Sequence, residues 1–156
     1  MARNVRDLFN LSDRVAIVTG GSRGLGKEMA EGLAEAGARL MLCARRREWL
    51  DKTGEEFKER GFNVRSMLCD VSKPQDVNAV VKETVKRFGR LDILVNNAGV
   101  SWGEMPEDMP LDKWQKVIEV NLTGCFLFAQ VAGREMLKQK SGSIINIASI
   151  AGLTSS

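Results

Sequence analysis

The sequence predicts an α/β protein, a doubly wound parallel sheet with helices on both faces. Three observations carry that reading. Short apolar runs alternate with segments of helical period along the whole chain. The runs are apolar almost without interruption, as strands covered on both faces are. The first run, residues 14–19 (RVAIVT), passes at once into a glycine turn and an amphipathic helix. Right-handed crossovers fold a βαβαβαβαβ order of this kind into a single sheet.

The elements follow in order. After the glycine turn, Leu25, Met29, Leu33 and Ala36 recur at helical spacing, and Gly37 is placed to cap that helix. Residues 38–43 are the second strand. Residues 46–60 form a charged helix with Trp49, Leu50 and Phe57 on its sparse apolar side, and residues 63–69 are the third strand. Ser72, Pro74 and Gln75 read as a helix start with a capping box. Val77, Val80, Val81, Val85 and Phe88 supply the buried stripe of that helix. Residues 91–95 are the fourth strand, and 97–110 a loop with glycine and proline. One long helix runs from about 111 to 138, and residues 143–148 are the fifth strand. The long helix carries apolar residues on more than one side. Either a further helix, from this chain or a partner subunit, covers the second side, or the residues form one wide stripe.

At 156 residues the chain is one domain's worth. Its 44% apolar and 28% charged residues are those of an ordinary soluble protein. A net charge of +3 gives no reason to expect nucleic acid or membrane binding. No run approaches the ~20 apolar residues that cross a bilayer. Residues 1–13 lack the apolar core of a signal peptide. Cys43, Cys69 and Cys125 lie far apart, and with no histidine in the chain no metal set is expected. A cytoplasmic location follows as the expectation.

The strand–turn–helix unit makes a phosphate site, because free backbone N–H groups and the helix dipole both favour an anion there. Gly20, Ser22, Arg23, Gly24, Leu25 and Gly26 form the turn. Gly20 allows the tight bend, while Gly24 and Gly26 remove side chains where the cofactor and the next strand approach. The second strand runs into Arg45, Arg46 and Arg47, with no acid until Glu48. An acid there would hold a ribose hydroxyl, whereas arginine accommodates a 2′-phosphate. Arg23 and Arg45 therefore favour NADP over NAD, while Arg46 and Arg47 read as solvating the helix start. Asp70 and Val71 end the third strand at the sheet's carboxyl edge. Asp70 either accepts from an adenine amino group or caps the following turn. Asn97, Ala98 and Gly99 end the fourth strand, beside the switch point, where small residues let the backbone pass close to a cofactor ribose.

Taken together these blocks resemble the short-chain dehydrogenase/reductase family. The matching residues are Thr19-Gly20-xxx-Gly24-x-Gly26, Asp70, Asn96-Asn97-Ala98-Gly99, Asn121 within Val120-Asn121-Leu122, and Ser149 after Ile145-Asn146-Ile147-Ala148. The similarity runs from about residue 11 to 152. It is nearest the gluconate 5-dehydrogenase and 3-oxoacyl-carrier-protein reductase branches. The resemblance implies a Rossmann-type sheet and hydride transfer between NADP(H) and a small alcohol or ketone, in a homo-oligomer. It implies that Ser149 polarises the substrate oxygen and that Asn121 helps hold a relay water. The residues themselves leave Ser149 open as a strand-end turn serine and Asn121 as a kink or surface residue. The family's Tyr-x-x-x-Lys pair falls about a dozen residues beyond the serine, and this chain contains no tyrosine. The expectation is thus a single NADP-binding domain over residues 1–156, truncated after its fifth strand and inactive alone. The alternative is a non-catalytic nucleotide-binding module that pairs with another chain.

Overall fold

The computed structural model describes residues 4–150. Among them five strands form one parallel sheet: β1 (Val15–Thr19), β2 (Arg39–Ala44), β3 (Val64–Leu68), β4 (Ile93–Asn96) and β5 (Ser143–Asn146). Their spatial order is β3-β2-β1-β4-β5, so the order in which strands are added reverses between β1 and β4. The helices are α1 (Val5–Leu8), α2 (Gly24–Glu35), α3 (Arg47–Glu59), α4 (Pro74–Phe88), α5 (Leu111–Ile118) and α6 (Gly124–Gln139). The α1 turn has no counterpart in the apolar periodicity.

Alternation along the strands divides the core into two halves. Ala16, Val18, Leu40 and Leu42 meet Ala30, Ala34, Leu50 and Phe57 of α2 and α3 on one face. Ile17, Met41, Cys43 and Leu94 meet Val77, Val80, Val81, Phe128, Ala132 and Met136 of α4 and α6 on the other. This is the two-faced cover that the uninterrupted apolar strands predict.

The helix ends follow local chemistry. Gly37, at φ +98°, closes α2: its N–H reaches the Ala34 carbonyl at 2.9 Å, and the Ala38 N–H reaches Leu33 at 3.0 Å. The capping box expected at Ser72 and Gln75 does not form. Lys73 is the N-cap of α4 and caps with no side chain. Ser72 instead donates through both its N–H (3.1 Å) and its hydroxyl (2.7 Å) to Asp70 Oδ1. The Asp70 N–H is taken by Asp76 Oδ2 at 2.9 Å. The carboxylates out-compete Gln75 because charged acceptors make the stronger hydrogen bonds.

The expected single long helix has a π-helical segment, Glu119–Thr123, between α5 and α6. Val120 within that segment and Gly124, Phe128, Ala132 and Met136 after it, four residues apart, are buried. Trp114, Ile118, Leu122 and Phe126, also four apart and half a turn away, stay exposed. Leu127 and Val131 are partly buried between the two sets, so the helix carries one buried row and one exposed apolar row. No helix of the described residues is long and apolar enough to cross a membrane.

At the opposite edge of the sheet from the glycine turn, Asp92 is 4% exposed. It accepts from Arg90 Nε (2.8 Å), the Val15 N–H (3.0 Å) and Arg14 Nη1 (3.1 Å). Burial alone would raise its pKa, but these donors outweigh it and hold the carboxyl below the usual aspartate value. A depressed folded value means stability that is complete above the unfolded value of ~3.9 and lost as the pH falls through the folded one. Asp92→Asn is expected to cost about 1–2 kcal/mol at neutral pH, the two arginines being partly solvated. Urea titrations should show that gap closing below pH ~3.9. A gap that stays constant with pH would contradict this.

Candidate functional site

At the carboxyl edge, where the strand order reverses between β1 and β4, the chain leaves a cleft of about 310 Å³. Open α/β sheets bind ligands at such a switch point. Gly20, Ser22, Arg23, Leu25, Gly26, Arg45, Val71, Asn97, Ala98 and Gly99 line it. Gly24 and Asp70 do not line it. Nor do Asn121 and Ser149. Ala44, Arg46, Trp49, Cys69 and Val120 complete the lining without having been singled out for it by the sequence.

The floor is built on one hydroxyl. Thr19, 1% exposed at the end of β1, accepts the N–H groups of Asn97 and Ala98 on Oγ1, each at 3.0 Å, and donates to the Val95 carbonyl at 3.4 Å. Asn97 Nδ2 returns to the Thr19 carbonyl at 3.0 Å. The ends of β1 and β4 are thereby clamped where the two halves of the sheet diverge. Sequence reasoning quotes Thr19 only as part of the turn motif; its position as the last buried residue before Gly20 was the available signal.

The glycines divide the work differently from expectation. Gly20, at φ +67°, makes the turn, as its place predicts. The close approach to the next strand belongs to Gly21, whose Cβ would lie 3.1 Å from Leu42 Cδ2. Gly26 packs instead on the Gly20 carbonyl and the Asn97 side chain, with no room for a methyl group. Gly24, at φ +53°, faces open space. Helix α2 thus starts at an extended Arg23 with no side-chain cap and no acid in its first turn. Its first N–H groups and its dipole have no built-in anion.

Three arginines border the cleft. Arg23, Arg45 and Arg46 all line it, and Arg46 is also the exposed N-cap residue of α3. Arg47 is committed to Asp51 at 3.9 Å, as a residue of the helix surface. Asp70 takes the turn role: Ser72 occupies Oδ1, and Lys116 stands 4.0 Å from Oδ2. Burial would raise its pKa, yet the Ser72 hydrogen bonds, Lys116 and Arg45 together lower it.

Asn121 lies in the π-helical segment. Its Oδ1 accepts the Val100 N–H and its Nδ2 donates to the Val100 carbonyl, both at 2.9 Å. It ties the helix to the loop that follows Gly99. Single turns of π-helix often mark functional positions. Gly124 lets this helix pass against the cleft residue Val71, since a Cβ there would come 2.7 Å from Val71 Cγ2. Ser149 lies just past β5, which Asn96 tethers by donating to Asn146 Oδ1 at 2.9 Å. Cys43 and Cys69 are buried side by side on β2 and beyond β3; contact with Cys69 and burial push the Cys43 thiol up, which keeps it inert. Among the described residues no three His, Cys, Asp or Glu side chains cluster as a metal site.

Comparison with known proteins decides the family. The short chain dehydrogenase family model matches residues 14–156. The chain belongs to the short-chain dehydrogenase family. It is 39% identical over 145 residues to an NAD-dependent glycerol dehydrogenase of Listeria innocua, covering 93% of this chain and 56% of that one. It is 40% identical over 144 residues to a 3-oxoacyl-[acyl-carrier-protein] reductase of Synechocystis, covering 92% and 58%. A crystal structure of a short-chain type dehydrogenase/reductase from Mycobacterium marinum superposes with a TM-score of 0.95 at 37% identity, covering 99% of this chain and 63% of that one. The chain therefore spans less than two thirds of the length of each of these short-chain dehydrogenases.

Proposed function

We propose that the cleft binds NADP(H) in preference to NAD(H) and serves hydride transfer to or from a small alcohol or ketone. The observation that carries this reading is a cleft lined by three arginines and by glycines of the turn at the uncapped start of α2. The fit is chemical. The first-turn N–H groups of α2 suit a pyrophosphate. Arg23 and Arg45 suit the 2′-phosphate, and Val71 with the Asp70 turn borders the adenine. Asn97, Ala98 and Gly99 offer small residues to the nicotinamide ribose. When bound, the dinucleotide supplies or accepts the hydride.

The chain's own residues then position and polarise. Ser149 donates to the substrate oxygen, and Asn121, locked to Val100, fixes the helix against the loop flanking the nicotinamide end. A proton donor of suitable pKa is still required, and these 156 residues hold no tyrosine or histidine. A polypeptide of this sequence alone is therefore expected to bind the dinucleotide and to show no turnover of NADPH with a ketone. Measured turnover by a mass-verified chain would contradict that. The exposed apolar stripe of Trp114, Ile118, Leu122 and Phe126 supports assembly through the long helix. The three free cysteines fit a reducing, cytoplasmic setting.

The Listeria relative is NAD-dependent by name, so the preference is the point to test. Arg45→Asp removes a cation and places a carboxylate where a 2′-phosphate would lie. The ratio of NADPH to NADH affinity, read by cofactor fluorescence, should fall at least tenfold, about 1.4 kcal/mol. An unchanged ratio would remove the arginine argument.

A further inference from the structure

The geometry points to Trp49 as a positioning residue that sets cofactor selectivity by holding Arg23. This rests on the reading of the cleft arginines as a 2′-phosphate site. Arg23 is exposed on the glycine turn, and among the described residues it has no carboxylate partner. A long side chain in that position samples many rotamers, and ordering one costs entropy. It has an aromatic neighbour: Arg23 Cζ stands 5.8 Å from the centre of the Trp49 ring, within range of a cation–π contact. Both side chains line the cleft.

The position of Trp49 is itself fixed. It lies in the first turn of α3, next to Leu50, which is 1% exposed and buried in the core. One turn on, the buried Thr53 hydroxyl donates to the Ser22 carbonyl at 2.7 Å. Trp49 and Thr53, four residues apart, share a helix face, so α3 holds the glycine turn twice. Thr53 fixes its backbone and Trp49 the guanidinium beside it. Trp49 is 37% exposed, unlike Leu50 and Phe57 on the same helix, so it is not spent on the core. Ring contact leaves the N–H fork of Arg23 free, which a salt bridge would not. The guanidinium is pre-set to grip a phosphate, with part of its ordering completed before the ligand arrives.

Calorimetry with adenosine 2′,5′-bisphosphate and 5′-AMP tests this without any turnover. The unaltered protein should prefer the bisphosphate. Trp49→Leu should weaken the bisphosphate about three- to tenfold and leave 5′-AMP within about twofold. Trp49→Phe keeps a ring and should retain most of the affinity, which also guards against a misfolded leucine variant. In an Arg23→Ala background Trp49→Leu should cost nothing more. Equal losses for both probes, or a full loss in the Arg23→Ala background, would show that Trp49 acts on the fold and not through Arg23. An unaltered protein with no preference for the bisphosphate would overturn the phosphate reading first, and this inference with it.

Discussion

Gly26→Ala is expected to be the most damaging small substitution in the cleft. A methyl group on Gly26 would overlap the Gly20 carbonyl and press on the Asn97 side chain. Neither neighbour can yield cheaply. Gly20 is backbone in a left-handed turn, and Asn97 Nδ2 is already bonded to the Thr19 carbonyl. The helix start must therefore lift away from the sheet end, which opens the phosphate cradle and breaks the Asn97 contacts together. Overpacking of this kind costs about 3 kcal/mol, or roughly 6–12 °C in melting temperature for a chain of this size. Cofactor affinity should fall with it. Thermal melts and dinucleotide titration check both, and a variant within about 2 °C of the parent that still binds would contradict the packing argument. Gly24→Ala provides the contrast. No atom lies within 4 Å of its Cβ, so its cost comes from the φ of +53° and not from a clash.

Thr19→Val is expected to be comparably costly for a different reason, since it keeps the volume but exchanges one hydroxyl for a methyl group. Valine fills the same volume, so no cavity forms. The N–H groups of Asn97 and Ala98 lose their common acceptor inside a site that is 1% exposed. Each orphaned donor costs about 1–3 kcal/mol, which gives about 2–6 kcal/mol for the two. The loop over Asn97–Gly99 then loses its anchor, and dinucleotide binding should weaken at least tenfold. Thr19→Ser restores the hydroxyl and should restore most of both. If Thr19→Val were as stable as the parent, the hydroxyl would not be the clamp.

Much of this was legible in the sequence because it depends on periodicity and on glycine. The order of strands and helices, the turn at Gly20 and the cap at Gly37 all follow from local rules that tertiary packing does not override. What was not legible depends on partners far apart in the chain. The Thr19 clamp joins residues 78 and 79 positions away, and nothing local distinguishes its hydroxyl from that of any strand-end threonine. The packing of Gly21 and Gly26 shows only in the folded chain, where the atoms each abuts are brought together. The π-helical segment at Asn121 escapes a periodicity reading, since one widened turn leaves four-residue spacings on either side intact. Trp49 looked like a member of a sparse apolar stripe beside Leu50 and Phe57. Only the folded structure separates the two core residues from the one turned to the cleft.

The family is fixed by residues 14–156 as a whole, and the cleft by its walls, but the choice of dinucleotide rests on a few guanidinium groups. The most direct test is a paired titration of the unaltered protein with NADPH and NADH, following cofactor fluorescence at low and moderate salt. The arginine cluster predicts tighter binding of NADPH, by at least tenfold at low salt, with the advantage shrinking as salt screens the exposed charges. Equal affinities, or tighter binding of NADH, would contradict the assignment of Arg23 and Arg45 to a 2′-phosphate.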